Sequence, residues 1–289
     1  MRRITSCRLC GSPKIIEFLN LGNQPLANLL LKNPLEKEEF YPLSLSWCEV
    51  CSLVQLNHTA EPEKLFSNYV WVTSTSRTAK EHSKAFFKEV ISRSEDLKNS
   101  YVLEIASNDG TFLAPFMENK FNVLGIDPAR NIADEAVSRG IPTKCAFFGL
   151  NAANDIVQEK KAAKVVFARN VLAHVANLHD FVEGLALCVE RCGLLVLEVH
   201  YAKIILEELH YDSVYHEHLC YFTVKSLEGL LRMHGLYVEE IGKSPISGGS
   251  LIIYARKVPA KEKHSVKLYR DSEEKSKRCG RSSQNHVSH

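Results

Sequence analysis

From Thr78 to about Ser94 the chain reads TAKEHSKAFFKEVISRS, with apolar residues at helical spacing and a polar LKNS behind them, which predicts an amphipathic helix. Downstream, short apolar runs alternate with helical stretches: YVLEIA, a helix from about Thr111, FNVLGI, a helix from about Asn131, KVVFARN, a helix around Leu178 to Glu190, and GLLVLEVH. Such alternation predicts an α/β fold with a doubly wound, mostly parallel sheet. LYVEEIG and SLIIYAR close it as an antiparallel pair, because the turn signal SPISGGS lies between them. After Lys257 the segment VPAKEKHSVKLYRDSEEKSKRCGRSSQNHVSH has almost no apolar periodicity and many charges. It predicts a disordered polar tail over 258–289, in which Cys279 and the late histidines from His264 onward are solvated.

With 289 residues the chain can hold one large domain and a small one. Its 36 Lys and Arg against 34 Asp and Glu leave a net charge of +2, too little for the basic footprint of a nucleic-acid binder. The start MRRITSCRLCG lacks the apolar core of a signal peptide, and no run approaches the roughly 18 to 20 apolar residues of a membrane span. The expectation is a soluble, cytoplasmic protein. Nine cysteines, an odd number in a chain of this size, fit reduced thiols and metal ligands better than disulfides.

Four of those cysteines form two pairs, Cys7 and Cys10 in CRLCG and Cys48 and Cys51 in WCEVC. Each C-x-x-C presents two thiolates from a tight knuckle, and two knuckles complete the tetrahedral sulfur shell that zinc prefers. A hairpin or small sheet must bring the distant pairs together. The role is structural, because four thiolates leave no open position for chemistry, and zinc would supply much of the folding energy of a module over 1–72.

The first strand of the sheet runs into a loop as VLEIASNDG. In a doubly wound sheet the ligand lies past the carboxyl ends of the strands, and this loop is where it is met. The dinucleotide pattern G-x-G-x-x-G is missing, with Ala106, Asn108 and Gly110 at comparable places and Glu104 at the strand end. FNVLGI continues into GIDPA, and Asp127 stands 23 residues beyond Glu104, about where an acidic residue accepts from ribose hydroxyls. DPARN also reads as a helix N-cap with Pro128 at the first helical position, and both roles can hold at once. Without a pyrophosphate loop a nucleoside lacking phosphate is favoured, and S-adenosylmethionine is the obvious one. ARNVLAHV places Asn170 and His174 at the same rim.

YHEHLCYF, residues 215–222, crowds Tyr215, His216, Glu217, His218 and Tyr221 together. A metal site, a proton-transfer site and a polar turn are all open on residue types alone. The segment does not show the H-E-x-x-H spacing that puts two histidines on one helix face.

Taken together, CRLCG, LGNQPLAN, YPLSLSWCEVCSLVQL, YVWVTSTS, VLEIASNDGTFL, GIDPARNIA, FARNVLAHVANLHDF, EVHY and YHEHLCYF resemble, in order over roughly residues 7 to 257, the zinc-containing C-methyltransferases of deoxysugar pathways. These S-adenosylmethionine-dependent enzymes act on nucleotide-linked 4-keto sugars. The resemblance implies a Rossmann-like class I methyltransferase domain over 73–257 behind the zinc module. It also implies that Tyr215, Glu217, His218, Tyr69 and His174 lie at the active site. A ketone at carbon 4 acidifies the proton on carbon 3, so the chemistry needs a base and donors to an enolate oxygen. His218 suits the first task, Glu217 could orient the site, and Tyr69 or Tyr215 could donate; His216 is left to a polar turn.

The chain also departs from the family. Members usually continue into a further α/β domain that helps hold the sugar nucleotide, whereas this chain turns polar after Lys257. Ser247 and Ile252 stand where members often carry His and Arg. The expectation is a truncated form or a reduced substrate site, with another small substrate or a catalytically silent cofactor-binding scaffold as competing functions. Nothing in the pattern specifies the sugar, the nucleotide or the oligomeric state.

Overall fold

The computed structural model describes residues 1–31, 33, 35–94, 97–246 and 248–284; Ser247 and the end of the chain lie outside them, as does the side chain of Cys279. Chain order opens with a small β module: β1 (Arg2–Arg3), β2 (Ile15–Pro25), β3 (Phe40–Cys48), β4 (Val54–Leu56) and β5 (His58–Thr59). Helix α1 (Pro62–Phe66) and the longer α2 (Arg77–Ser92) lead to the sheet domain. The Ser76 side chain caps α2 by accepting from Ala79 N, and Ala79, His82, Ser83, Phe86 and Val90 form its buried face.

Alternation then proceeds as β6 (Tyr101–Ile105), α3 (Ala114–Glu118), β7 (Asn122–Asp127), α4 (Arg130–Ser138), β8 (Thr143–Cys145), α5 (Leu150–Lys160), β9 (Ala163–Arg169), α6 (Leu178–Cys188) and β10 (Val189–Val199). The chain continues with α7 (Ala202–Glu207), β11 (Cys220–Tyr221), α8 (Val224–Met233), β12 (Tyr237–Lys243), β13 (Leu251–Arg256) and α9 (His264–Gln284). Seven strands form one sheet in the order β12-β13-β10-β9-β6-β7-β8. The pairs β6–β7, β7–β8, β6–β9 and β9–β10 are parallel, and β13 runs antiparallel to both β10 and β12. Strand order reverses at β6 and β9, which opens a crevice at their carboxyl ends.

The zinc module does not stop at residue 72. Strand β11, part of YHEHLCYF, pairs antiparallel with β4 through Cys220↔Gln55 and Tyr221↔Val54, completing a four-stranded sheet in the order β11-β4-β3-β2. A single apolar core also runs from Cys7, Leu9 and Leu43 to Leu103 and Ile105. Residues 1–72 and the segment around 215–222 therefore fold onto each other.

The expected disordered tail is corrected over its first part, where residues 264–284 form α9. Val266 is fully buried, and the Glu273 carboxylate accepts from the amides of Val224 and Lys225 at the start of α8. A mostly polar helix of this kind is held by a few tertiary contacts, which a search for apolar periodicity does not register.

Candidate active site

Backbone conformation shapes the floor of the crevice. In the loop after β6, Ala106 (φ 55°), Asn108 (φ 51°) and Gly110 (φ 74°) are left-handed, as is Asn170 (φ 52°) after β9. Three of these are not glycine, a strain on the order of 1 kcal/mol or more each that concentrates at ligand sites. Asn108 clamps a wall onto this loop: its Oδ1 accepts from Thr73 N at 2.8 Å and its Nδ2 donates to Trp71 O at 3.0 Å.

Asp127 ends β7 with its carboxylate held by two amides, Asn108 N at 2.8 Å and Ala129 N at 2.9 Å. Each oxygen keeps a further lone pair for a hydroxyl. Burial raises the Asp127 pKa, and the two amides oppose that shift. Ala129, not Asp127, occupies the N-cap position of α4, and no side chain caps it. Glu104 is buried, and its Oε2 has no hydrogen-bond partner. Burial pushes its pKa well above the usual range, with Arg169 opposing.

Opposite this floor lies the YHEH turn, closed by His218 N donating to Tyr215 O. His218 Nδ1 sits 2.8 Å from Ser213 O and therefore carries the hydrogen in the neutral ring; Nε2 then accepts from the Tyr215 hydroxyl at 2.9 Å. Burial first, then the His174 and His200 rings, push the His218 pKa well down, so the imidazole is neutral at neutral pH. Glu217 points elsewhere: Oε1 accepts from Asn28 Nδ2 at 2.7 Å and Oε2 from the Tyr69 hydroxyl at 3.3 Å. Tyr69 is placed by Asn131, which accepts from its amide and donates to its carbonyl. His174 Nδ1 donates to Glu217 O at 2.9 Å, and burial lowers its pKa to about 4.

These groups share a cavity of about 700 Å³. Tyr69, Glu104, Ala106, Asn108, Asp127, Pro128, Asn170, His174, Tyr215, Glu217 and His218 all line it. Gly110 does not; a Cβ there would stand 2.5 Å from Ile141 Cδ1, so this glycine serves the turn and its packing. His216 is turned away and approaches Tyr41 O at 3.2 Å. Sequence reasoning missed Asn28, Arg169 and His200 as members of the site; Asn28 binds Glu217 from 189 positions away, and nothing local marks it.

The cysteine pairs close on each other as twin knuckles. Gly11 N donates to Cys7 O and Ser52 N to Cys48 O, both at 2.9 Å, and the φ values of Gly11 and Ser52 are 68° and 66°. The Sγ atoms of Cys7 and Cys51 are 3.5 Å apart, as are those of Cys10 and Cys48, and all four lie within 4.8 Å of one another. A zinc ion with four sulfurs at about 2.3 Å needs sulfur separations of about 3.8 Å, which this shell nearly supplies. The contact with Cys51 lowers the Cys7 thiol to about 5 against the effect of burial. Among the described residues this is the cluster built to hold a metal.

Comparison with known proteins bears on the family of the chain. Residues 78–241 match a family model described as "Methyltransferase domain". The chain belongs to that methyltransferase family. Residues 7–66 of the methyltransferase match a second model, described as "Putative zinc binding domain". It is 32 % identical over 269 residues to the C-methyltransferase NovU of Streptomyces niveus, an alignment covering 92 % of this chain and 64 % of NovU. Among solved structures, the magnesium protoporphyrin IX methyltransferase ChlM of Synechocystis PCC 6803 with bound SAM aligns with a TM-score of 0.47 at 13 % identity, covering 62 % of this chain and 79 % of that one. No helix among the described residues of the methyltransferase is long and apolar enough to cross a membrane.

Proposed function

We propose that the protein is an S-adenosylmethionine-dependent C-methyltransferase that methylates carbon 3 of a nucleotide-linked 4-keto deoxysugar through an enolate. The observation that carries this reading is the pairing of half-buried Tyr215 with buried His218, whose Nδ1 is pinned by Ser213 O and whose Nε2 is turned to the Tyr215 hydroxyl. Similarity to NovU supports carbon as the methyl acceptor. A reducing compartment, the cytoplasm, suits the free thiols.

The residues present fit the methyl donor. Asp127 offers paired acceptors for ribose hydroxyls, and the unpartnered Glu104 Oε2 offers an acceptor to a buried ammonium. When bound, S-adenosylmethionine supplies an electrophilic methyl group. The chain's own task is to make carbon 3 nucleophilic. His218, neutral because it is buried, takes the carbon 3 proton at Nε2 once the Tyr215 hydroxyl turns from that nitrogen to the enolate oxygen. Glu217, braced by Asn28, holds Tyr69, whose hydroxyl becomes a second donor once it turns from Glu217 Oε2 to the enolate oxygen, and His174 steadies the turn through the Glu217 carbonyl. If base and donor act from opposite faces, methylation inverts carbon 3.

The test is exchange of solvent deuterium into carbon 3 of candidate 4-keto sugars, with S-adenosylhomocysteine present. His218→Asn should abolish exchange and lower turnover by roughly 10² to 10⁴ while cofactor affinity persists. Exchange that survives in His218→Asn and vanishes in Tyr215→Phe would move the base to Tyr215.

A further inference from the structure

A buried carboxyl and a buried guanidinium face the same cavity, each with a polar atom that finds no partner: Glu104 Oε2 and Arg169 Nη2. They are brought together by register. Glu104 on β6 pairs with Phe167 on β9, and Arg169 lies two residues beyond Phe167, so both side chains project from one face of the sheet. Arg169 has only 8 % of its side chain exposed.

The guanidinium is fixed on two sides. Its Nε donates to Glu198 Oε2 at 2.8 Å, and its Cζ rests 3.1 Å from the centroid of the Phe112 ring. Glu198 has further partners in Ser244 Oγ at 2.5 Å and His82 Nε2 at 3.4 Å. Burial alone would raise the Glu198 pKa, but Arg169, His82 and Ser244 outweigh it and hold the carboxylate at about 2. Glu198 is thus a permanent anion that holds the guanidinium in place through one edge and leaves Nη2 without an acceptor.

We infer that Arg169 is the specificity residue for an α-carboxylate: Nη2 receives the carboxylate of the amino-acid end of the methyl donor while Glu104 faces its ammonium. The inference rests on the methyl-donor reading above and adds what distinguishes the donor from other adenosyl compounds. A zwitterion satisfies both buried orphans at once, whereas a nucleoside lacking the carboxylate leaves Nη2 desolvated and unpaired. Discrimination of this kind comes from the site's own unpaired group and not from added contact area.

Calorimetric titration of the full chain with S-adenosylhomocysteine, its decarboxylated counterpart that keeps the amine, and 5′-methylthioadenosine tests this. Wild type should bind S-adenosylhomocysteine roughly ten- to a hundredfold tighter than the decarboxylated ligand, as expected for one charged hydrogen bond. In the double variant Arg169→Gln/Glu198→Gln, which removes the buried pair together, that ratio should collapse to about threefold or less. Arg169→Lys keeps a cation beside Glu198 and serves should the double variant fail to fold; its ratio should fall as well, because Nη2 is gone. A wild-type ratio preserved in the folded variants would place the carboxylate elsewhere and overturn the assignment. Wild type binding none of the three ligands would defeat the methyl-donor reading itself, a result distinct from binding without discrimination.

Discussion

Helix α9 offers a quantitative test of how its polar segment is held. Truncation after Lys257 removes Val266, which is fully buried, and the half-buried Tyr269 packed beside the core. Full burial of a Val side chain is worth about 1.5 to 3 kcal/mol. Truncation also removes Glu273, whose carboxylate accepts from Val224 N at 2.5 Å and Lys225 N at 3.2 Å in the first turn of α8. An anion satisfying helix N-terminal amides contributes about 1 to 2 kcal/mol. Arg270 bridges Glu228 and Glu262, but these partly exposed pairs add at most about 1 kcal/mol. The sum, about 3 to 5 kcal/mol, is a large share of the roughly 5 to 15 kcal/mol that a domain has. At about 2 to 4 °C per kcal/mol for a chain of this size, the melting temperature should fall by roughly 10 °C. Urea unfolding followed by circular dichroism should also show Val266→Ala costing about 1 to 2 kcal/mol and Glu273→Gln about 1 kcal/mol. A truncated chain that unfolds at the wild-type midpoint would refute the argument and return 258–284 to a solvated tail.

Three further outcomes follow from the same contacts. Metal analysis should give about one zinc per chain from a four-sulfur shell; Cys48→Ser should lose it and, because β11 pairs with β4, should also speed amide exchange over 215–222, whereas unchanged exchange there would uncouple the two sites. Asp127→Ala should weaken S-adenosylhomocysteine roughly ten- to a hundredfold, and equal affinity by calorimetry would remove Asp127 from the ribose. His174 has its pKa lowered from 6.5 to about 4, so the unfolded chain takes up a proton that the folded one refuses. Stability is therefore full above pH 6.5 and falls as pH drops toward 4, by up to roughly tenfold in the unfolding constant per unit; a His174→Gln variant with the same acid slope would contradict this.

The legible parts of the fold are those whose signal is local. Strands β6, β9 and β10 read as strands because their centres are continuous apolar runs buried on both faces. Strand β8 did not, since its three residues, TKC, are half-buried and become a strand only by pairing with β7. Helix α9 escaped for a similar reason: Glu273 binds α8 amides 48 and 49 positions away, and no periodicity encodes that contact.

The site divides along the same line. Residue types and strand ends pointed to Glu104, Asp127 and the YHEH segment, but not to their partners. In a turn, neighbouring side chains diverge, so YHEH sends its groups in three directions. Tyr215 and His218, three residues apart across the turn, find each other; His216 turns to the backbone of β3; Glu217 reaches Asn28 and Tyr69. That divergence argues against a metal site there, because a metal needs its ligands to converge. It also ties the turn to the amino-terminal β module. Two of the three directions end on residues 28 and 41, within the β module that the cysteine knuckles close, and the turn runs straight on into β11 of that module's sheet. The cysteine shell can therefore sit apart from the cavity and still fix where His218 stands.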